Sequence, residues 1–393
     1  MSKLITCPVC SGNQLHTFLV RDNEPVHQNF VMTTQQSAKG IARGTLTLEC
    51  CENCGFIFNS TFDPMKIQYG ASYDNTQICS PQFNEYHTQR VKDLVYKKLI
   101  DNQRVVEVGC GKGHFIRQIV RESGCRNTGF GFDPSYTGPE SELDGHLTFV
   151  KEYYGPEHRA IHADAVICRH VIEHVPDPRV LLDAIRDALA GSSHAKVFFE
   201  TPCVEWILRN NVIWDFFYEH CSYFSAESLV TAFELNGFFV ESVEHTFRGQ
   251  YLWLEGTLAS EQTTTIGKND TNLRLTAEFE RNYSATRQKY ETCIRRLRSE
   301  GNVALWGAGA KGVTMANIID PGCEIISYVI DINPKKQGHY IPGTGHPIID
   351  YHQIPQFDLK NIILMNPNYF EETKQLLQEA GIKAKIVELK RGQ

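Results

Sequence analysis

Between Val105 and Ile116 the chain reads Val-Val-Glu-Val-Gly-Cys-Gly-Lys-Gly-His-Phe-Ile, and no other stretch restricts the fold as tightly. A short apolar run, then glycine at every second position (Gly109, Gly111, Gly113), then an amphipathic run predicts a buried strand, a tight turn and a helix start. Glycine lets backbone approach a ligand and take φ > 0 without a Cβ clash. The new helix offers N–H groups that lack an intrahelical acceptor. This G-x-G-x-G spacing, with Glu107 ahead of it, differs from the G-x-G-x-x-G of a dinucleotide turn. A second strand-like run, Asn127 to Phe132, ends at Asp133, twenty residues after Gly113. A carboxylate at that strand end can accept both hydroxyls of a ribose.

Further apolar runs, Ala165–Cys168 and Ala195–Phe199, alternate with helix-like stretches, which predicts an α/β fold with a parallel, doubly wound sheet. Ligands of such sheets lie beyond the carboxyl ends of the strands. Arg169 and His170, in the segment that follows the fourth strand, are therefore expected to border a cofactor pocket. His174 in the same segment is expected to be a structural helix-start residue. The H-x-x-E-H order there lacks the spacing of the H-E-x-x-H zinc helix.

At 393 residues the chain exceeds one core, so several domains are expected. The expected divisions are 1–68, 69–265, a charged helical connector over 266–299 without a strong apolar stripe, and 300–393. Hydrophobic content of 41% and charged content of 22% are those of a soluble globular protein. A net charge of −7 argues against nucleic acid or anionic membrane as the main partner. With thirteen cysteines and no leader-like apolar start, reduced thiols and a cytoplasmic location are expected.

Four of those thiols fall in two knuckles, Cys7-Pro-Val-Cys10 and Cys51-Glu-Asn-Cys54. Two C-x-x-C pairs complete a four-thiolate tetrahedral site with no open position, so the expected ion is a structural zinc. Cys50, beside Cys51, is the alternative ligand. A region this short is expected to need such a staple.

The last hundred residues carry the formal dinucleotide fingerprint, Gly307-x-Gly309-x-x-Gly312, with Asp331 closing the next strand nineteen residues on. Taken literally it calls for NAD. The shortness of the domain and the lysines nearby, Lys311, Lys335 and Lys336, suit a nucleoside diphosphate better, and a ligand-free turn is the third reading. Between the two glycine turns, Trp214 to Ser225 concentrates Tyr218, Glu219, His220 and Tyr223 among apolar aromatics after the fifth strand. An imidazole with a free pKa of ~6.5 suits general-base work, and a neighbouring carboxylate can orient it.

The Glu107–Gly113 turn with Asp133 resembles motif I of class I S-adenosylmethionine (SAM) methyltransferases, whose turn embraces methionine and sulfonium. The cysteine knuckles, this core and the Gly-Ala-Gly-Ala-Lys-Gly turn of the last domain together resemble the sugar C-methyltransferases, which methylate C3 of nucleotide-linked 4-keto-deoxysugars. The resemblance implies a class I (Rossmann-like) methyltransferase core between a small N-terminal zinc-binding domain and a C-terminal Rossmann-like domain that helps grip the nucleotide-sugar. Tyr69, Tyr73 and Asn75 occupy the family's tyrosine-rich segment. Phe217 to Ser225 occupies its Y-H-E-H-x-x-Y-F-S segment, making His220 the base by resemblance. Asn333 to Gly338, Ile341 to Thr344 and Asn366 to Tyr369 match in the last domain, placing Gly309, Lys311, Lys336 and Asn366 on the substrate. Two departures stand out: Phe217 holds the slot of the family's tyrosine, and Arg248-Gly249-Gln250 replaces its H-G-G turn.

The function expected from these readings is SAM-dependent C-methylation of a keto-sugar nucleotide. His220 takes the α-proton, Glu219 orients His220 or relays its proton, and Tyr218 or Tyr223 steadies the oxyanion. The alternatives are O- or N-methylation of another small polar metabolite, a non-catalytic SAM- or nucleotide-binding module, and a bifunctional enzyme that also uses NAD.

Overall fold

The computed structural model describes residues 4–67, 69–70, 73–261, 266 and 270–389, arranged around three sheets. The N-terminal sheet is antiparallel and begins with β1 (Leu15–Pro25), β2 (Arg43–Cys51) and β3 (Ile57–Asn59). Leu15 faces Cys51 in its register, which brings the two knuckles to one end of the sheet. Each knuckle is closed by its own backbone, through Cys7 N–H to Gly12 O at 2.8 Å and Gly55 N–H to Cys51 O at 2.8 Å.

The central sheet has eight strands: β4 (Arg104–Val108), β5 (Thr128–Phe132), β6 (Ser141–Glu142), β7 (Leu147–Val150), β8 (Ala165–Arg169) and β9 (Lys196–Pro202), then two more after an excursion. That excursion carries β10 (Ser222–Tyr223), which leaves the central sheet and pairs with β3 of the first. The chain returns in β11 (Phe238–Thr246) and β12 (Tyr251–Leu258). The order is β11-β12-β9-β8-β4-β5-β7-β6, with β12 antiparallel to both neighbours. The chain reverses direction across the sheet between β4 and β8, the place where such sheets open a crevice. The helix His114–Glu122 follows the first glycine turn and buries Phe115, Ile116, Ile119 and Val120 against the sheet.

The third sheet is parallel throughout, with β13 (Asn302–Trp306), β14 (Tyr328–Ile330), β15 (Ile348–Ile349), β16 (Leu359–Leu364) and β17 (Lys385–Glu388) in the order β15-β14-β13-β16-β17. A single helix of 31 residues, Asp270–Glu300, leads into it. Contrary to expectation this helix has an apolar face: Leu275, Phe279, Tyr290, Ile294 and Leu297 are all buried. They recur at helical spacing, diluted in sequence by the charged residues of the solvent side.

The apolar cores run across the three sheets. Phe18, Leu46 and Leu48 of the first sheet pack with Phe216 and Tyr223, with Phe279 and Ile294 of the long helix, and with Leu305 and Ile363 of the third sheet. Phe56 and Phe58 pack instead with Phe224, Phe233 and Val106 of the central unit. Among the described residues no helix is long and apolar enough to cross a membrane.

Candidate active site

Two cavities meet at the carboxyl ends of the central strands. The larger, of about 610 Å³, is walled by the first glycine turn and contains Glu107, Gly109, Gly111, Asp133, Arg169, Tyr69 and His174 on its lining. The smaller, of about 270 Å³, runs from His220, Glu219 and Phe217 to the second glycine turn, with Gly309, Lys311, Lys336 and Asn366. Tyr73, Asn75, His170 and His174 line both, so they form the seam.

The first turn is built as its spacing demands. Gly109, Gly111 and Gly113 all have φ between 56° and 74°. A Cβ on Gly109 would fall 2.1 Å from Val171, whereas one on Gly111 would meet nothing within 4 Å because it would project into the cavity. Gly113 does not border the cavity: its missing Cβ makes room for the Phe149 ring. Asp133 ties the turn down, accepting Gly111 N–H at 2.8 Å on one oxygen and Ser135 N–H at 2.7 Å on the other. Glu107 accepts Ile116 N–H at 3.1 Å, and burial pushes its carboxyl up to about 7.

Behind the turn lies a buried ionic network. Arg169 sits 3.0 Å from Glu200, with its guanidinium 4.1 Å above the Phe115 ring. His170, in the left-handed region at φ 55°, is 2.8 Å from Glu200 and 3.5 Å from Glu173. Burial works against its charge, yet the two carboxylates carry its pKa up to about 9. Glu200 is held well below the usual carboxylate range, since Arg169 and His170 outweigh the burial that would raise it. Tyr86 donates its hydroxyl to the same carboxylate. Sequence reasoning missed Tyr86, Glu173 and Glu200, which lie far apart along the chain and share no motif.

His220 is buried, with its ring 4.1 Å from Phe217 and 4.7 Å from His174. Burial, followed by the neighbouring His174, His170 and Lys311, drives its pKa well below 6.5, so its imidazole is neutral at neutral pH. That is the state a proton acceptor requires.

Three sequence expectations need correction here. Tyr218 points away: its hydroxyl is held 2.9 Å from Asp63 N–H, and its ring packs with Phe62 and Val26 where Gly44 leaves space. Tyr223 bonds both N–H and carbonyl of Phe217 at 3.0 Å and lines neither cavity, so it braces the turn that presents His220. The two-residue strand β10 dictates this, because its pairing with β3 takes the backbone out of the pocket. The carboxylate of Glu219 contacts Tyr73, His27 and Gln28 N–H, with no bond to His220.

His174, expected only to start a helix, is instead on the seam. Its Nδ1 is 3.0 Å from the Glu219 carbonyl and 2.9 Å from the Tyr69 hydroxyl. A carbonyl only accepts, so Nδ1 carries the proton; Tyr69 then accepts as well, and its own proton remains available to the cavity. The signal for His174 lay in the H-x-x-E-H segment, whose short 3-10 turn, Ile172–His174, aims it inward.

In the second cavity Lys336 is buried and donates to the Ala308 carbonyl at 3.1 Å, and Lys311 pairs closely with Asp215. Asp331 spends both oxygens on backbone, Ala308 N–H at 2.7 Å and Asn333 N–H at 2.8 Å. Asn366 exchanges two hydrogen bonds with Gln250, at 2.7 and 3.1 Å, so a residue of the departing Arg248–Gln250 turn braces this wall.

The four knuckle thiols converge, with ligand atoms within 4.8 Å of one another. Cys7 Sγ lies 3.7 Å from Cys54 Sγ, and Cys10 Sγ 3.5 Å from Cys51 Sγ. Cys50, on the opposite face of its strand, belongs to a different apolar cluster.

Comparison with known proteins gives two family matches, one for each of the two larger parts of the chain. Residues 82–243 match the family described as a methyltransferase domain, and residues 253–387 match the one described as a C-methyltransferase C-terminal domain. The C-methyltransferase NovU of Streptomyces niveus is 26% identical over 75% of each chain. A ubiquinone biosynthesis O-methyltransferase of Salmonella newport is 33% identical over 33% of this chain, which spans half the length of that relative. Among solved structures, a complex between the Haloferax volcanii Trm112 methyltransferase activator and the putative methyltransferase aligns with a TM-score of 0.33 and 15% identity, covering 46% of this chain and 96% of that one. The strand order and the first glycine turn define a class I, Rossmann-like α/β methyltransferase fold. The protein is a SAM-dependent methyltransferase.

Proposed function

We propose that this chain transfers the methyl group of SAM to a carbon next to a ketone, in a sugar carried on a nucleoside diphosphate. The observation that carries the reading is the seam. A neutral, buried His220 lines the cavity built on the lysine-bearing turn, its ring 4.7 Å from His174, at which the cavity built on the methyltransferase turn opens into it. Glu107, Gly109, Gly111, Asp133, Arg169 and His170 are suited to hold SAM, with open space at Gly111 and carboxylates on the wall. Bound there, SAM supplies an electrophilic methyl group on a sulfonium.

Carbon is nucleophilic only after its α-proton leaves. His220 is the group suited to take that proton, and Tyr69, whose proton is uncommitted, is placed to donate to the oxyanion that develops. Asn75 and His174 on the seam would fix the acceptor between the cavities. Gly309, Lys311, Lys336 and Asn366 would receive the diphosphate, for which Lys336 and the start of the helix Ala310–Ile319 offer positive charge. The match to a C-methyltransferase C-terminal domain supports the same assignment.

Cys7, Cys10, Cys51 and Cys54 would hold a structural zinc. Zn–S bonds of ~2.3 Å in a tetrahedron separate sulfurs by about 3.8 Å, close to the spacings found. Its contribution would be to folding, since both knuckles close the sheet that receives β10.

The test is α-proton exchange. His220→Asn should stop exchange of the acceptor's α-proton in heavy water while S-adenosylhomocysteine binding persists. Undiminished exchange would rule His220 out as the base. The identity to an O-methyltransferase across part of the chain makes O-methylation the second reading. Methyl transfer by the unaltered protein without any α-proton exchange would select it.

A further inference from the structure

Glu219 is fully buried, and two of the donors it accepts come from the N-terminal segment. Its Oε1 lies 3.1 Å from His27 Nδ1 and 2.9 Å from Gln28 N–H, and its Oε2 takes the Tyr73 hydroxyl at 3.1 Å. The main-chain N–H and the phenol both donate to this carboxylate, so the His27 contact is attractive only with the proton on Nδ1. The segment that delivers His27 is itself fixed. It follows directly on β1, Gln28 Nε2 donates back to Pro25 O at 2.6 Å, and the His27 ring stacks on Phe30 at 4.1 Å. Phe30 bridges antiparallel to Tyr73, and Asp74 N–H bonds Asn29 O at 3.0 Å, so residues 27–30 clamp the backbone that carries Tyr73.

Tyr73 therefore cannot turn freely. We propose that His27, delivered by the N-terminal sheet, is a positioning residue of the methyl-transfer site. Through Glu219 it holds the Tyr73 hydroxyl with its proton on the carboxylate and its oxygen toward the seam, as an acceptor for an O–H or N–H on the methyl-accepting substrate. The inference rests on the reading of the seam as the place where donor and acceptor meet. Burial, then the Glu219 charge, raises the Tyr73 phenol well above 10 against the opposing pull of the Asn29 side chain on its oxygen, so the proton stays on it. Asn29 engages one lone pair of that oxygen and leaves the other for the substrate. The two tyrosines thus divide their work: Tyr69, on the wall of the first cavity, has a proton to give and Tyr73, on the seam, a lone pair.

The experiment uses the full-length protein with [ζ-13C]tyrosine and S-adenosylhomocysteine bound, the Tyr73 resonance being the one lost in Tyr73→Phe. His27→Leu should move that resonance and lower its ionisation midpoint. His27→Asn, whose amide nitrogen can stand in for Nδ1, should leave it near its original place. His27→Gln places its amide at the other ring nitrogen's position and should behave like leucine. With SAM and a dTDP-linked 4-keto-6-deoxyhexose, kcat should fall about tenfold in His27→Leu. KM for SAM should hold, turnover should recover in His27→Asn, and Tyr73→Phe should add no further loss on the His27→Leu background. An unmoved Tyr73 resonance in both the leucine and glutamine variants overturns the proposal, as do additive losses in the double variant. If the leucine variant fails to fold, the asparagine–glutamine pair decides. Failure of the unaltered protein to methylate the keto-sugar would sink the substrate reading, while the resonance would still decide the Tyr73 placement.

Discussion

At Gly109–Gly113 and again at Gly307–Gly312, a parallel strand runs into a glycine turn and a helix. In both, the acid ending the neighbouring strand holds the turn: Asp133 accepts Gly111 N–H at 2.8 Å, and Asp331 accepts Ala308 N–H at 2.7 Å. Beyond that the two diverge. At the first turn a Cβ on Gly111 would enter open cavity; at the second, a Cβ on Gly312 would lie 1.9 Å from Gly307 O, so that glycine serves helix–turn packing. Both cavities carry charge of both signs: Glu107 and Asp133 with Lys112 and Arg169 on the wall of the first, Lys311 and Lys336 with Asp215, Glu219 and Asp331 on that of the second. In the first, Arg169 is paired with Glu200; in the second, Asp215 is paired with Lys311 and Asp331 is spent on backbone, while the Lys336 ammonium rests on the Ala308 carbonyl. Glycine spacing fixes the path of the backbone; which of the charges around it are already paired decides what the turn can hold.

The sharpest way to break this comparison is to add one methyl group to each turn. Gly312→Ala should cost about 3 kcal/mol or more, because the obstacle is a backbone carbonyl, and should appear as a lower denaturation midpoint. Gly111→Ala should cost only about 1–2 kcal/mol for its left-handed backbone, yet weaken S-adenosylhomocysteine by calorimetry. Equal stability losses with unaltered affinity would remove the distinction.

A pH scan probes the ionic network behind the first turn. The raised pKa of His170, about 9, means its contribution is fully present below the ordinary ~6.5 and is lost as pH rises through 9. Chemical denaturation should show a decline on the order of 3 kcal/mol across that window, and His170→Gln should flatten it. Next in size, Lys336→Met should weaken a nucleoside diphosphate such as dTDP about tenfold, equal to ~1.4 kcal/mol, with S-adenosylhomocysteine binding unchanged. Comparable weakening of both ligands would argue that the cavities act as one. The smallest effect concerns Glu107, which burial raises to about 7. At pH 6.5 it is largely protonated, so a cationic ligand should expel part of a proton as it binds, measurable as buffer-dependent binding heat. SAM should release more than its uncharged-sulfur product, and Glu107→Gln should abolish the difference.

Much of this was legible along the chain because it is local. The first turn, Asp133, the two cysteine knuckles and the parallel core all follow from spacings within a few dozen residues. The site residues assigned on neighbourhood alone fared differently. Tyr218 and Tyr223 flank the Glu219-His220 pair in sequence, yet each hydroxyl is committed to backbone. His174 lay in a segment the sequence singled out, but its role on the Glu219 carbonyl needed the fold, and His27 became visible only where separate elements converge, on the Glu219 carboxylate across 192 positions. Periodicity tells which face of a strand is buried, but it does not tell which distant segment will press against that face.

The sequence by itself determined the strand–turn–helix units, the acids that end the neighbouring strands and the pairing of thiols, since each depends on short-range backbone geometry. Only the tertiary structure decided where the two cavities meet, and which side chains stand there. It did so by pairing β10 with β3, which turned the two nearest tyrosines away, and by clamping residues 27–30 against Tyr73. Those contacts join segments whose separation along the chain leaves no local trace, and the packing that fixes them exists only once the three sheets are assembled.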